Sequence, residues 1–386
     1  AQSGWITSRQ RSCKYGTNSQ MVRSRSPLAS GMLMAAFRRL KTSMLPGTAT
    51  SSIKATSVGL SAAGSLSFYD AAGTVQVIAD IVGYYKVEAE PAQVVTVAKS
   101  GGDFTTVTAA MASITDATVN KPYVIDVAPG IYAEPAGIDL KSYVTIDGAG
   151  IDVTTISCEC FAPVDPLSRV NSSPGAVFRA KGTSTFATIS NLTVSNVGWG
   201  PWANGIEAVN VSGGMITLRD VVVSASLGET VSAGIYAYAS RYTLERVSSV
   251  GTADPGAIGS VSAGLYMTNG STVTVADSTL RGGGADTRTV GAHIQGSYGT
   301  FEDSKIYSSS SASYGIYQLP IANGDTNTLV IQSDVWGVSG AASVAANSSI
   351  RFFVGTVAGA VSGAGTKHCV GVADAGTYVE RNATCG

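Results

Sequence analysis

A repeating unit of alternating apolar and polar residues runs along the chain from about residue 175 onward. Each unit opens with a glycine, an aliphatic residue or Ala expected to face inward, and a residue expected to face outward. The five openings are Gly205-Ile206-Glu207, Gly234-Ile235-Tyr236, Gly264-Leu265-Tyr266, Gly291-Ala292-His293 and Gly315-Ile316-Tyr317. Their glycines are 29, 30, 27 and 24 residues apart. The alternation predicts strands with one buried face, and a repeat of this length predicts stacked coils.

A second column of residues follows the first in sequence. It consists of Ile189-Ser190-Asn191, Leu218-Arg219-Asp220, Leu244-Glu245-Arg246, Val275-Ala276-Asp277 and Phe301-Glu302-Asp303. Its steps of 29, 26, 31 and 26 residues vary too much for a rigid short-period solenoid, whereas a parallel β-helix absorbs insertions in its loops. Asn and Asp at the third position predict tight turns. The alternative is a row of calcium ligands, which Arg246 interrupts.

The pattern predicts an all-β protein, a single-stranded right-handed parallel β-helix of about ten coils over residues 94–365. One coil cannot bury its own apolar face, so the core forms only when coils stack. Asp103–Thr115 alone has a helical pattern, and we expect this short N-terminal helix to cap the first coil. Residues 366–386 are expected to cover the last coil, whose free edge would otherwise pair with other chains.

A partial β module is predicted upstream, over residues 48–88, followed by a linker over residues 89–93. Within the module, the runs Ser65–Tyr69 and Val75–Val82 flank a turn signal at Asp70–Gly73, which predicts a hairpin. Two strands cannot bury a core by themselves, so the module is interpreted as a fragment. It resembles the closing strands of a small β module repeated in secreted actinobacterial proteins.

Charge is distributed unevenly along the 386 residues, although 25 Lys+Arg nearly balance 26 Asp+Glu. Residues 1–47 hold eight of the basic side chains and no acidic one, which leaves 17 basic and 26 acidic side chains for residues 48–386. Three hypotheses stay open for this basic segment: an arm that binds an anionic surface, a disordered terminus, or a stretch foreign to the protein. The near-neutral total excludes a general nucleic-acid binder, and the lack of 18 consecutive apolar residues predicts no membrane span.

Five cysteines bear on the compartment: Cys13, Cys158, Cys160, Cys369 and Cys385. Cys369 and Cys385 flank a compact C-terminal stretch, where we expect one disulfide. The pairing of the other three stays open, and their spacing is not that of a zinc site. A disulfide predicts a secreted protein, located outside the cell or on its surface. No metal and no cofactor is expected.

The opening of the predicted β-helix, residues 94–157, resembles that of pectinesterase-type right-handed β-helices. In both, a strand precedes a G-x-[GD]-F-x-T/S-[IV] segment, a capping helix and a V-x-P-G-x-Y-x-E stretch, here Val127–Glu134. The resemblance implies an ester hydrolase in which two Asp act as nucleophile and acid/base while Gln side chains hold the oxyanion. The motifs that carry these residues are not matched: Glu229-Thr230-Val231 and Asp254–Gly259 are only the nearest counterparts by spacing, and no G-R-P-W segment occurs.

Three functional hypotheses follow. In the first, polysaccharide or cell-surface glycan binds the outward column at Tyr236, Tyr266 and Tyr317 with little or no catalysis; the alternative is that these stacked rings only stabilise neighbouring strands. Trp199 and Trp202 would either add a second sugar platform or cap a gap in the core. The second hypothesis is a carbohydrate esterase, or a polysaccharide lyase or hydrolase. Its candidate catalytic residues are Glu207, Glu229, Asp254 and His293. The third is a structural surface protein.

Overall fold

A computed structural model provides the coordinates. It describes residues 92–162, 175–254, 256, 260–284, 288–310, 313–319 and 326–386, together with the backbone of five strands between residues 21 and 85. The chain divides into two compact units, Ala1–Ala89 and Glu90–Gly386.

The first unit contains five described strands. They are β1 (Met21–Arg23), β2 (Met32–Leu40), β3 (Ser51–Gly59), β4 (Ser65–Ser67) and β5 (Gln76–Tyr85). Strand β2 lies between β3 and β5 in an antiparallel sheet, and β1 pairs with β4. The two predicted runs therefore form strands, but the predicted hairpin is wrong because β4 and β5 pair with different partners. The boundaries at residues 47 and 88 stay predictions, and Cys13 lies outside the described residues.

The second unit is a parallel β-helix, which confirms the predicted fold class. Its elements are β6 (Gln93–Val97), α1 (Val107–Ser113), β7 (Tyr123–Val127), β8 (Gly130–Ala133), β9 (Ile138–Asp139), β10 (Val144–Gly148), β11 (Thr154–Cys158), β12 (Ala176–Lys181), β13 (Phe186–Asn196), β14 (Gly200–Val209), β15 (Met215–Tyr238), β16 (Arg241–Ala253), β17 (Val261–Thr268), β18 (Thr272–Ala276), β19 (Thr279–Gly283), β20 (Arg288–Gln295), β21 (Tyr298–Glu302), β22 (Lys305–Ser308), β23 (Ser313–Leu319), β24 (Thr326–Trp336), β25 (Gly340–Ser343), β26 (Ser348–Ala358), β27 (Val361–Ser362) and β28 (Thr366–Asp374). The helix is shorter at both ends than predicted.

Three parallel faces surround the core, and each has a central row of inward residues that are in register from coil to coil. The first face contributes Val95, Ile125, Ile146, Ile189, Leu218, Leu244, Val275, Phe301, Val330, Phe352 and Cys369. The second contributes Tyr132, Ile156, Val194, Val223, Ser249, Leu280, Ile306, Val335 and Val357. The third, from β9 onward, contributes Ile138, Phe178, Ile206, Ile235, Leu265, Ala292, Ile316, Ala342 and Val361. The structure has about eight turns rather than the ten predicted.

The repeated glycines lie where the third face runs closest to the second. A Cβ added at Gly234 would come 2.1 Å from the Ser249 Oγ, and one added at Gly264 would come 2.5 Å from the backbone N of Arg281. Real Cβ atoms do not approach other atoms this closely. The glycine column is therefore a close-packed seam between two faces, which explains why each unit of the sequence opens with glycine.

The second column of the sequence forms the corner between the first and second faces. Its third residues all have left-handed backbones, with φ of 55° at Asn191, 52° at Asp220, 53° at Arg246, 49° at Asp277 and 47° at Asp303. The turn prediction is confirmed, and Arg246 there donates to Asp220 with nitrogen–oxygen distances of 2.7 and 2.9 Å. Among the described residues, no cluster of three or more His, Cys, Asp or Glu could hold a metal ion.

Buried serines complete the backbone hydrogen bonding at this same corner. Ser278, Ser304 and Ser333 each donate to the carbonyl two residues earlier, over 2.6, 2.6 and 2.7 Å. Each hydroxyl also accepts the N–H of a residue on the preceding coil, over 2.9 to 3.1 Å. These ladders matter because a buried N–H without a partner costs about as much as a lost hydrogen bond.

Helix α1 is held at both ends by charged side chains from the following coil. Glu134, which is buried, accepts the N–H groups of Val107 and Thr108 at 2.8 and 3.1 Å and the Thr108 hydroxyl at 2.6 Å. Lys141 donates to the Met111 carbonyl at 2.6 Å and also to the Ile114 carbonyl. A negative charge at the N-terminus and a positive charge at the C-terminus both suit the helix dipole. The glutamate of the V-x-P-G-x-Y-x-E stretch is therefore a helix cap.

We expect the substitution Glu134→Gln to lower the free energy of unfolding by about 2 kcal/mol, since charge-assisted hydrogen bonds at a buried cap are lost or weakened. Urea unfolding followed by circular dichroism measures the change. Glu302→Gln, at an exposed position on a later coil, is the matched control and should stay within about 0.5 kcal/mol of wild type. An equal effect of both substitutions would contradict the capping role.

The C-terminal end carries the expected disulfide. Cys369 and Cys385 are bonded, with their Cα atoms 5.3 Å apart. Strand β28, which contains Cys369, stacks on β26, so the first face continues past the predicted boundary at residue 365. A second disulfide joins Cys158 and Cys160, a pairing that the sequence left open. The described residues include no helix with the length and hydropathy of a membrane span.

Candidate functional site

The predicted outward column exists as one row on the third face. Successive coils place in register Asp139, Arg179, Glu207, Tyr236, Tyr266, His293 and Tyr317. Along the axis of the β-helix, the first three coils contribute acidic or basic residues to the row and the next four contribute aromatic rings. The sequence repeat predicted this register for the five members from Glu207 onward.

The rings of the row pack on one another in a continuous stack, the aromatic spine, which consists of Trp202, Tyr236, Tyr266, His293 and Tyr317. Tyr236 and Tyr266 have ring centroids 5.4 Å apart, and the stacked rings of Tyr266 and His293 have centroids 4.3 Å apart and are nearly parallel, with an interplanar angle of 4°. Trp202 meets Tyr236 edge-on at 5.8 Å. Because each central ring has a neighbour on both sides, its faces are not open to a sugar.

Burial of the aromatic spine corrects one expectation. Tyr236 is only 4% exposed, while Tyr266 and Tyr317 are half-buried. The prediction of an exposed tyrosine ladder is wrong for Tyr236, because Trp202, Val231 and neighbouring rings pack against it. The alternative, that stacked aromatics stabilise adjacent strands, fits this part of the row better. Sugar binding at Tyr266 and Tyr317 stays a prediction.

His293 is enclosed by the aromatic spine and is 1% exposed. Neither of its ring nitrogens has a hydrogen-bond partner among the described residues. Burial, with a smaller contribution from the positive charge of Arg288, lowers the pKa of His293 to about 3. A general base works best with a pKa near the operating pH and within reach of substrate, so this imidazole is poorly suited to the role that the sequence suggested.

Glu207 is also buried, with 0% exposure, and accepts a hydrogen bond from the Asn204 amide at 3.2 Å. In register beside it is Arg179, whose Nε lies 2.7 Å from a carboxylate oxygen of Asp139. Burial raises the pKa of Asp139, but hydrogen bonds from Arg179 and Lys181 outweigh it and the net pKa is lowered. Glu207 itself is therefore not accessible to a polymer.

Three of the predicted residues lie on successive coils at the corner between the second and third faces. Gly200, Gly228 and Ala253 are in register, so Trp199, Glu229 and Asp254 stand on three successive coils. The Trp199 Nε1 donates to a carboxylate oxygen of Asp254 at 3.0 Å, reaching across the coil that carries Glu229. We call this cluster of Trp199, Glu229 and Asp254 the Trp199 corner.

The Trp199 corner offers an aromatic surface beside charged oxygens. Trp199 is 61% exposed, whereas Glu229 and Asp254 are half-buried. Hydrogen bonds from the Trp199 indole and then from the Gly256 N–H lower the pKa of Asp254, so this carboxylate is ionised at neutral pH. The indole offers an apolar surface for stacking, and the carboxylates accept hydrogen bonds from hydroxyl groups.

The outward side of the first face carries a further feature that was not predicted from the sequence. Six successive coils place a threonine at one register position: Thr145, Thr188, Thr217, Thr243, Thr274 and Thr300. We call this the threonine rank. A repeat in the sequence could have predicted the rank, because a threonine directly precedes the inward residue of every unit in the second column.

Comparison with known proteins finds distantly similar solved structures. No protein-family model matches the chain, and a search of curated proteins finds no match. Pectin methylesterase PemA from Erwinia chrysanthemi is 12% identical with a TM-score of 0.43, over 75% of this chain and 91% of that one. Pectin methylesterase from carrot is 13% identical with a TM-score of 0.44, over 76% and 88%. Geobacillus virus E2 ORF18 is 13% identical with a TM-score of 0.45, over 73% and 61%. Such similarity carries no argument about activity.

Proposed function

We propose that this protein binds polysaccharide or cell-surface glycan through the Trp199 corner, with little or no catalysis. The observation that carries the proposal is the exposed Trp199 ring, which is fixed by its hydrogen bond to Asp254 across the coil of Glu229. An exposed ring that is already oriented loses little side-chain entropy when a ligand stacks on it. Two disulfides fit an extracellular or cell-surface location, since such bonds persist in oxidising compartments.

A carbohydrate-active enzyme is the second candidate, favoured by the placement of Glu229 and Asp254 on adjacent coils. Strands on adjacent coils are about 4.8 Å apart, so side chains in register on them can bring their carboxyl groups to the separation of about 5 Å used by retaining glycosidases. The lowered pKa of Asp254 suits a nucleophile or base and not a general acid. Glu229 would then have to supply the acid.

Binding and product release should be measured together on a panel of plant, bacterial and algal polysaccharides. The variants are Trp199→Ala, Glu229→Gln and Asp254→Asn, with Tyr378→Ala as the control because that ring is 79% exposed elsewhere on the surface. We expect Trp199→Ala to weaken retention on at least one polysaccharide about tenfold, a typical effect for a lost aromatic contact. Tyr378→Ala should leave retention unchanged.

Each outcome separates the hypotheses. Products that vanish with Glu229→Gln or Asp254→Asn would make the protein an enzyme. Retention that survives Trp199→Ala without loss would move the binding surface away from the Trp199 corner. No retention of wild type on any polysaccharide would overturn glycan binding and favour a structural surface protein.

A further inference from the structure

We propose that the threonine rank binds an uncharged linear glycan that lies parallel to the helix axis. The rank presents one hydroxyl and one methyl group per coil, at a repeat of about 4.8 Å over a length of about 24 Å. A ligand with its own regular repeat of hydroxyl and CH groups can meet every coil in the same way. This ligand surface lies on the first face, so it is separate from the Trp199 corner.

Shallow depressions occur at both ends of the rank. One has a volume of about 380 Å³ and includes Thr145, Thr188 and Thr217. The apolar side chains of Tyr143, Phe186 and Met215 line it too. The Tyr143 and Phe186 rings are 5.8 Å apart at 15°, and Phe186 is 39% exposed. Apolar rings beside hydroxyls provide the two kinds of contact that sugars make.

The second depression, of about 300 Å³, lies at the other end of the same rank, around Thr300. Tyr298, which is 49% exposed, lines it together with the polar groups of Asn327, Ser349 and Arg351. An extended chain lying along the rank would reach both depressions at once. Cross-strand pairing alone would explain the threonines, but it requires no depressions at the two ends.

Charge along the face favours an uncharged ligand. The rank itself has no charged member, and the adjacent outward row contains Asp147 and Glu302 together with the ion pair of Arg219 and Glu245 at 3.1 Å. The exposed Arg241 lies on the opposite edge of the rank. The three acidic groups are thus balanced by Arg219, Arg241 and Arg351, so the face has no excess charge with which to hold an ionic polymer. Arg351, beyond the end of the rank, can donate hydrogen bonds to hydroxyls.

Affinity electrophoresis in gels containing soluble xylan, mixed-linkage β-glucan, galactomannan or polygalacturonate tests the proposal, in a Trp199→Ala background so that the Trp199 corner does not contribute. We expect retardation by at least one neutral polysaccharide, and its loss by at least tenfold in Thr274→Lys, an exposed member of the rank. Thr279→Lys, on the second face, is the matched control. Thr217→Lys repeats the test if Thr274→Lys is not folded by circular dichroism.

Oligosaccharides of two to seven units from the retarding polysaccharide then test the geometry. Affinity should rise with length until the chain covers the rank of about 24 Å. Affinity that is already full at two units would overturn a track along the axis. Equal loss with Thr279→Lys, retardation by polygalacturonate alone, or no retardation by any neutral polysaccharide would each overturn the proposal. None of these results depends on whether the Trp199 corner binds.

Discussion

Replacing Gly264 with Ala is expected to lower the free energy of unfolding by about 3 to 5 kcal/mol, at the upper end of the range for single substitutions. A Cβ at this position would lie 2.5 Å from the backbone N of Arg281 and 2.9 Å from the carbonyl oxygen of Gly291. Both atoms belong to strands that are hydrogen-bonded on neighbouring coils, so neither can move without shifting its strand. The added methyl group must therefore force two faces of the β-helix apart.

Gly376→Ala is the matched control, because the nearest atom to a Cβ there is a carboxylate oxygen of Asp374 at an ordinary 3.4 Å. Urea unfolding followed by circular dichroism should show a large shift of the midpoint for Gly264→Ala and little change for Gly376→Ala. Soluble, folded Gly264→Ala with the stability of wild type would contradict the close-packed seam. Failure of only the Gly264 variant to fold would agree with it.

The sequence predicted those parts of the fold that depend on a local repeat. Gly205-Ile206 and its four counterparts predicted the register of the third face, because the seam requires a residue without a side chain. Asn191 and its equivalents predicted the turns, because these positions require a left-handed backbone. The end of the β-helix was harder to predict. Thr366–Asp374 forms another coil by pairing with β26, and no pattern in its own residues indicates this pairing.

The candidate site was less predictable because it depends on contacts between coils. Alternation showed that Tyr236 points outward, but outward residues can still be covered, and Trp202 packs against this ring from the preceding coil. The pairing of Trp199 with Asp254 joins residues 55 positions apart in the chain. This contact depends on the register of the corner and on the orientation of the Trp199 indole, and no repeat in the sequence specifies either.

A second large effect is expected from acid, acting through His293. An unfolded chain protonates this imidazole near the ordinary pKa of about 6.5, whereas burial holds the pKa in the folded protein at about 3. Between these values the unfolded state binds a proton that the folded state does not. Stability is therefore fully present above about pH 6.5 and falls as the pH is lowered toward 3, by about 3 kcal/mol at pH 4.5.

His293→Phe should remove this dependence, because the phenyl ring keeps the stacking between Tyr266 and Tyr317 and has no proton to bind. Unfolding by urea at pH 7.5 and at pH 4.5 gives the loss for each variant. The chain has one other histidine, the exposed His368, so His368→Phe is the matched control and should lose as much stability in acid as wild type. The carboxylates of Asp220, Asp254 and Asp374 have lowered pKa values and stay ionised at pH 4.5, so they contribute little to the difference. An acid loss in His293→Phe equal to that of wild type would show that the buried imidazole is not its source.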